Sequence, residues 1–214
     1  AFLTSMRLSA GALSPVFNRD SLNYSLSVPY GTASTTVTAT PSAAASATFL
    51  VNGIAGVAGV TTAAVPLVVG INSIPIVVTA DNGIKKTYTI SVTRAQNANA
   101  DLAGLSLSAG SLSPAFSSSQ TNYTLIAPVG TVATTVTPAA SVPGGVSLTI
   151  NGTAVVSGSA SPSIPVTGGT DTVRVAVVTS DSGVSKSYTV LVTRAKSTNA
   201  NLSSLQLSAG TLAP

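Results

Sequence analysis

Leu102-Ala103-Gly104-Leu105-Ser106-Leu107-Ser108-Ala109-Gly110-Ser111-Leu112-Ser113-Pro114 occurs, with substitutions, three times in this chain. An earlier copy runs from Leu3 to Pro15 as LTSMRLSAGALSP, and a later one from Leu202 to Pro214 as LSSLQLSAGTLAP. Successive copies begin 99 and 100 residues apart. Self-similarity at a fixed period marks one folding module repeated, and a period of this length is that of a whole small domain. The chain therefore divides into residues 1–94, a second repeat with its linker over 95–194, and a linker plus the opening strand of a third repeat over 195–214.

The residues inside each repeat say which kind of domain it is. Tyr24, Leu26 and Val28 alternate with Ser25 and Ser27, the period-2 pattern of a half-buried strand. Tyr88, Ile90 and Val92 do the same between Thr87, Thr89 and Ser91. Between these lie shorter strand signals at Thr35–Thr40, Thr48–Val51, Val65–Val69 and Ile74–Val78, after an opening strand through Met6 and Leu8. Asn52-Gly53 is a hairpin signal, and Asp81-Asn82-Gly83 turns the chain into the last strand. The second repeat carries the same signals: Phe17 matches Phe116, Asn23-Tyr24 matches Asn122-Tyr123, and Asn52-Gly53 matches Asn151-Gly152, all at an offset of 99. Tyr88 matches Tyr188 and Thr93-Arg94 matches Thr193-Arg194 at 100, so one residue has entered the second repeat. A β-bulge near Ala176 would absorb it without turning later side chains to the wrong face. Seven short strands per repeat, broken by turns about every ten residues, predict an antiparallel two-sheet sandwich. The spacers Ala95–Asp101 and Ala195–Asn201 are too short for free coils, so they predict semi-rigid, coaxial neighbours.

Composition agrees with an all-β chain and excludes much chemistry. Hydrophobic residues make up 44%, but aromatics only 4% and charged residues 7%. The rest is largely Ser, Thr, Ala, Val and Leu, a β-branched and hydroxyl-rich mixture that suits pleated sheets. Cys, His, Trp and Glu are absent. Without Cys there is no disulfide or thiolate, and without His or Glu the commonest bases and transition-metal ligands are missing. The formal net charge is +4. It arises from few groups: Arg7, Arg19, Lys85, Lys86 and Arg94 outnumber Asp20 and Asp81 in the first repeat, while the second is balanced. A nucleic-acid binder needs a dense basic face with stacking aromatics, which this is not. No apolar run approaches the ~20 residues that span a bilayer as a helix. No signal peptide is visible, and Ala1 reads as a position within a longer precursor.

The pattern LxxLxLSxGxLSPxF, then NYS or NYT, a DNG or DSG turn, and YTxxVTR resembles the bacterial cadherin-like β-sandwich domain family. Met6 stands in for the second Leu in the first copy. The resemblance covers both repeats and implies two tandem seven-stranded immunoglobulin-like Greek-key sandwiches plus the first strand of a third. It implies an extracellular or cell-surface location and no reaction. It does not carry a calcium site, because cadherin-type sites gather several carboxylates, whereas the linkers hold Asp101 and then Asn201 in the matching place.

Candidate residues each have a structural reading beside a functional one. The tyrosines and phenylalanines that recur in register read as core. Tyr30, which follows Pro29 and does not recur, is the aromatic placed to stack on a surface glycan, although a single ring makes a poor platform. Asp81 and Asp181 read as turn residues. Lys85 and Lys86 read as a solvated strand start that blunts edge pairing. A Lys–Asn amide crosslink at Lys86 or Lys186 has no Glu to promote it. Asn23, Asn122, Asn151 and Asn201 fit the N-glycosylation sequon. Leu202, Leu205 and Leu207 repeat an opening strand and are the candidates for pairing with another subunit. No cofactor is expected. The expected function is a structural segment of a bacterial extracellular fibre, stalk or filament, whose partners are copies of itself or neighbouring repeats. The alternative is an adhesin or carbohydrate-binding module using a loop face.

Overall fold

The computed structural model describes residues 2–43, 46–206 and 208. Its contacts divide the chain into two units, Ala1–Asn97 and Ala98–Pro214.

In the first unit the opening motif forms β1 (Leu3–Leu8), whose apolar residues Leu3, Met6 and Leu8 are buried. It pairs antiparallel with β4 (Val37–Pro41), and the register shifts by one residue between Leu3 and Ser5. The chain turns at Gly11, where φ is +149° and an added Cβ would sit 3.1 Å from a Leu26 side-chain carbon. That combination explains the glycine of the LSxG motif. Residues 9–22 then cross to the second sheet and enter β2 (Asn23–Val28).

β2 lies at the edge of a five-stranded sheet of order β2-β9-β8-β5-β6. The others are β5 (Thr48–Val51), β6 (Ile54–Ala55), β8 (Gly70–Thr79) and β9 (Lys85–Arg94). Asn52-Gly53 makes the expected two-residue hairpin between β5 and β6, with φ values of 49° and 83°. Two elements depart from the seven-strand expectation. The third strand divides at Thr36, because β3 (Ser34–Thr35) pairs with β7 (Val65–Pro66) while β4 pairs with β1. β6 is an added two-residue strand too short to show as alternation.

The second unit repeats this order with β10 (Leu102–Leu107), β11 (Asn122–Ala127), β12 (Ala133–Thr134) and β13 (Val136–Ala140). It continues through β14 (Val146–Ile150), β15 (Thr153–Val155), β16 (Ile164–Pro165), β17 (Thr170–Thr179) and β18 (Ser185–Arg194). Among the described residues its one helical element is a 3-10 turn, Pro143–Gly145. Each unit has its own core joining both sheets, centred on Tyr88, Ile76 and Leu3 in one and Tyr188, Val175 and Leu102 in the other.

Two sequence expectations are corrected. The sandwich is not wholly antiparallel: β2 runs parallel to β9 from Asn23↔Thr89 to Val28↔Arg94, and β11 runs parallel to β18. The 9–22 crossover sets this direction, since it delivers the chain to the sheet edge beside the last strand, where nearly the whole domain serves as the connection. Nor is there a bulge at Ala176. The β17–β18 ladder is continuous from Thr170↔Thr193 to Val178↔Ser185, as β8–β9 is from Gly70↔Arg94 to Thr79↔Lys85. The extra residue sits in the turn, where Thr179–Val184 replaces Ala80–Ile84, and a solvent turn accepts length without disturbing any ladder.

Tyr88 and Tyr188 are both 0% exposed. Truncating either to Ala is expected to destabilise its own unit by about 3–5 kcal/mol, the scale for deleting a buried aromatic. Denaturant melts of the full chain should then show one early and one unchanged transition.

Candidate functional site

At one end of each sandwich a recurring lysine gathers with the buried tyrosine of the last strand. The Tyr88 hydroxyl accepts the Leu3 N–H at 3.1 Å and donates to the Arg19 carbonyl at 3.0 Å. Lys86, two residues earlier on β9, donates to the same carbonyl at 2.9 Å and lies 5.4 Å from the Tyr88 ring centroid. The second unit repeats every part: Tyr188 accepts the Leu102 N–H at 3.0 Å and donates to the Ser118 carbonyl at 3.0 Å. Lys186 reaches that carbonyl at 2.7 Å. Three chain segments, the start of the first strand, the crossover and the start of the last strand, thus meet on one phenol.

A second tyrosine holds the crossover from inside. Tyr24 donates towards the Asn18 and Ser21 carbonyls, the latter at 2.9 Å, and Tyr123 does the same to Ser117 and Gln120. Burial raises the Tyr24 phenol above its ordinary pKa, offset in part by the Asn18 backbone bond. Phe17 packs between the two rings, 5.9 Å from Tyr24 and 6.3 Å from Tyr88, and Phe116 repeats this at 6.0 and 6.2 Å. The aromatic residues that recur are therefore packing residues.

At the far end of β9, Arg94 donates to the Tyr30 carbonyl at 2.7 Å and to the Leu67 carbonyl at 2.8 Å. Its guanidinium also covers the Tyr30 ring at 4.9 Å, so the ring proposed for sugar stacking already carries a cation on one face. Arg194 reaches the corresponding loop of the second unit, donating to the Thr131 carbonyl at 3.3 Å, two residues beyond the position that matches Tyr30.

The remaining candidates scatter. Asp81 accepts the Asn82 N–H at 3.0 Å, which is turn chemistry. Asn23, Asn122, Asn151 and Asn201 are exposed, and the Asn151 side-chain oxygen takes the Arg174 N–H at 2.8 Å. Leu202 and Leu205 are 77% and 57% exposed, whereas Leu207 lies outside the described residues. A shallow, largely apolar recess recurs beside the first strand, over Leu13 and Phe17 in one unit and Leu112 and Phe116 in the other.

Sequence reading missed one interaction. Asp101, which the sequence places in the linker, accepts from Lys186 at 2.7 Å, with side-chain exposures of 42% and 27%. The matching position in the first unit is Phe2, which lies under Arg19 at 4.9 Å. The signal was present, since Lys186 aligns with Lys86, but only the fold brings residues 85 apart together. No group of three or more carboxylates is gathered for a cation among the described residues.

The Asp101 hydrogen bond pushes the Lys186 ammonium above its ordinary pKa of 10.5. A raised folded-state pKa means the contribution is complete below the unfolded value and fades as pH climbs through the folded one. The second unit should therefore lose stability above about pH 10.5, and Asp101→Asn should lessen that loss. Urea melts of both chains across the alkaline range check this, the difference between them being the quantity read. Calcium should leave the melting temperature of the chain unchanged, because Asp101 is engaged by Lys186 and a stable site needs several oxygen ligands. A rise reversed by chelator would contradict this.

No curated protein matches the chain. Among solved structures, titin A168–A169 is 11% identical with a TM-score of 0.32, covering 84% of this chain and 98% of that one. SGBP-B of a Bacteroides ovatus mixed-linkage glucan utilization locus, solved with a mixed-linkage heptasaccharide, is 12% identical with a TM-score of 0.25. There the alignment covers 89% of this chain and 70% of that one. PcdhgB3 EC1-4 is 14% identical with a TM-score of 0.31, over 92% and 51% of the two chains. Scores this low carry no argument about function. A family model does match, over residues 3–95 and again over 102–195, and its spans contain both tyrosine clusters. Such domains are typical of extracellular or surface proteins and are generally non-enzymatic, and no helix among the described residues is long and apolar enough to cross a membrane. The chain belongs to the cadherin-like beta sandwich domain family, which it matches twice in tandem.

Proposed function

We propose that the chain is a structural repeat segment of a bacterial extracellular fibre, stalk or filament. The observation that carries the reading is how the recurring polar side chains are used. Tyr88, Lys86 and Arg94, and their counterparts Tyr188, Lys186 and Arg194, all hydrogen-bond within their own unit. What recurs is thus devoted to building the unit. A Ser/Thr-rich surface with few charges also resists self-association weakly, which favours contact between copies.

In this reading the partners are other copies or neighbouring repeats. Leu202 and Leu205 stand where Leu102 and Leu105 are 0% and 6% exposed in the second unit. In this reading they are available to pair with a neighbouring copy through β-strand addition.

Electron microscopy of the native assembly tests the proposal. Ordered polymers with an axial repeat of one or two domains are expected. Isolated rods ending in a distinct tip domain would overturn it in favour of an adhesin stalk.

A further inference from the structure

We infer that each unit is a load-bearing module, in which the parallel ladder between its second and last strands acts as a shear clamp against tension along the chain. The inference deepens the fibre reading, which supplies the load; the clamp itself follows from strand topology.

In a tandem array, tension enters each unit where the chain enters and leaves where it leaves. Leu3, at the entrance, hydrogen-bonds Tyr88 near the start of β9. The exit follows Arg94, the last residue of that ten-residue strand. At ~3.3 Å per residue the two points lie roughly 20 Å or more apart along the strand axis. The line of load therefore runs along the strands and not across them.

Tension then meets two interfaces in succession. The first is β1, pulled by its start along its own axis against β4. Leu3 and Leu102, both 0% exposed, must leave the core before that strand can move. The second is β2 against β9. Because the pair is parallel, pulling β2 by its start and β9 by its end slides one strand lengthwise past the other. Inter-strand bonds lie across that direction, so the whole ladder is strained together. A hairpin pulled from its open end instead loses its bonds one at a time. The ladder is closed at both ends, by the Thr89 N–H to the Leu22 carbonyl at 2.7 Å and the Ala95 N–H to the Val28 carbonyl at 2.9 Å. In the second unit Thr189 to Thr121 at 2.7 Å and Ala195 to Ala127 at 2.8 Å take these places.

The tyrosine cluster guards the approach to this ladder. Once the first strand is drawn out, load reaches the crossover, whose Arg19 carbonyl is held by both Lys86 and Tyr88 of β9. Ser118 is held likewise by Lys186 and Tyr188. In the second unit the Lys186–Asp101 pair lies immediately before β10, where the first unit has Phe2 under Arg19.

The chain has no cysteine, so introduced pairs define the direction of pulling. Single-molecule force measurements would compare the full chain held by cysteines added at its two ends with an Asp20→Cys/Asn82→Cys variant. Those two positions precede β2 and β9 at the same end of the parallel ladder, so that variant peels the pair open. End-to-end pulling should give two unfolding events at forces several-fold above that of the peeling geometry, while denaturant melts of the two chains coincide. Equal forces in both directions would overturn the clamp. Tyr188→Phe should lower only one of the two end-to-end events, and a fall in both or in neither would also count against it. Fibres in the microscope with direction-independent force would sink the clamp alone. Direction-dependent force without fibres would sink the fibre reading alone.

Discussion

One hydroxyl group in each unit connects elements that the chain order keeps far apart. Burying a phenol removes its oxygen from water, a cost recovered only if the oxygen is hydrogen-bonded in place. Tyr88 meets that condition by accepting from Leu3 and donating to Arg19, residues 85 and 69 positions away. In the same arrangement the Leu3 N–H, beside the register shift of the first strand, gains a partner. The crossover gains a fixed point, and the ring fills the core against Phe17. Remove the hydroxyl and three backbone segments lose their common reference.

The two units show which parts of this design tolerate change. At the entrance, Phe2 under Arg19 in one unit becomes Asp101 against Lys186 in the other. Both replacements tether the start of the first strand, one by cation–π attraction and one by an ion pair. The additional residue of the second unit is confined to the turn before its last strand, while the paired strands on either side keep their register. Variation is thus accommodated at the rim, and the tyrosines, the phenylalanine and the motif glycine stay where they are.

Chain direction is the other organising constraint. Because residues 9–22 carry the chain from one sheet to the edge of the other, the second and last strands of each unit lie side by side and run the same way. A sandwich closed in this manner has its entrance and exit at opposite ends, which suits a module repeated in line. The Arg94 staple to Tyr30 and Leu67 secures the exit end as the tyrosine cluster secures the entrance.

Much of this was legible in the sequence, for identifiable reasons. The repeat period, the all-β class, the Asn-Gly hairpins and the buried faces of the long strands follow from local patterns. Alternation at Tyr88, Ile90 and Val92 reports burial directly, and Asn-Gly reports a turn that needs positive φ. What tertiary structure alone decided were the relations between distant segments. Strand direction carries no local signature, because a residue faces the core equally well in a parallel or an antiparallel pair, so the β2–β9 ladder looked antiparallel. The location of the inserted residue depended on which backbone atoms face each other, and a register cannot be read from one strand. Nothing local links Lys186 to Asp101, since an ion pair across 85 residues exists only once the first and last strands lie together.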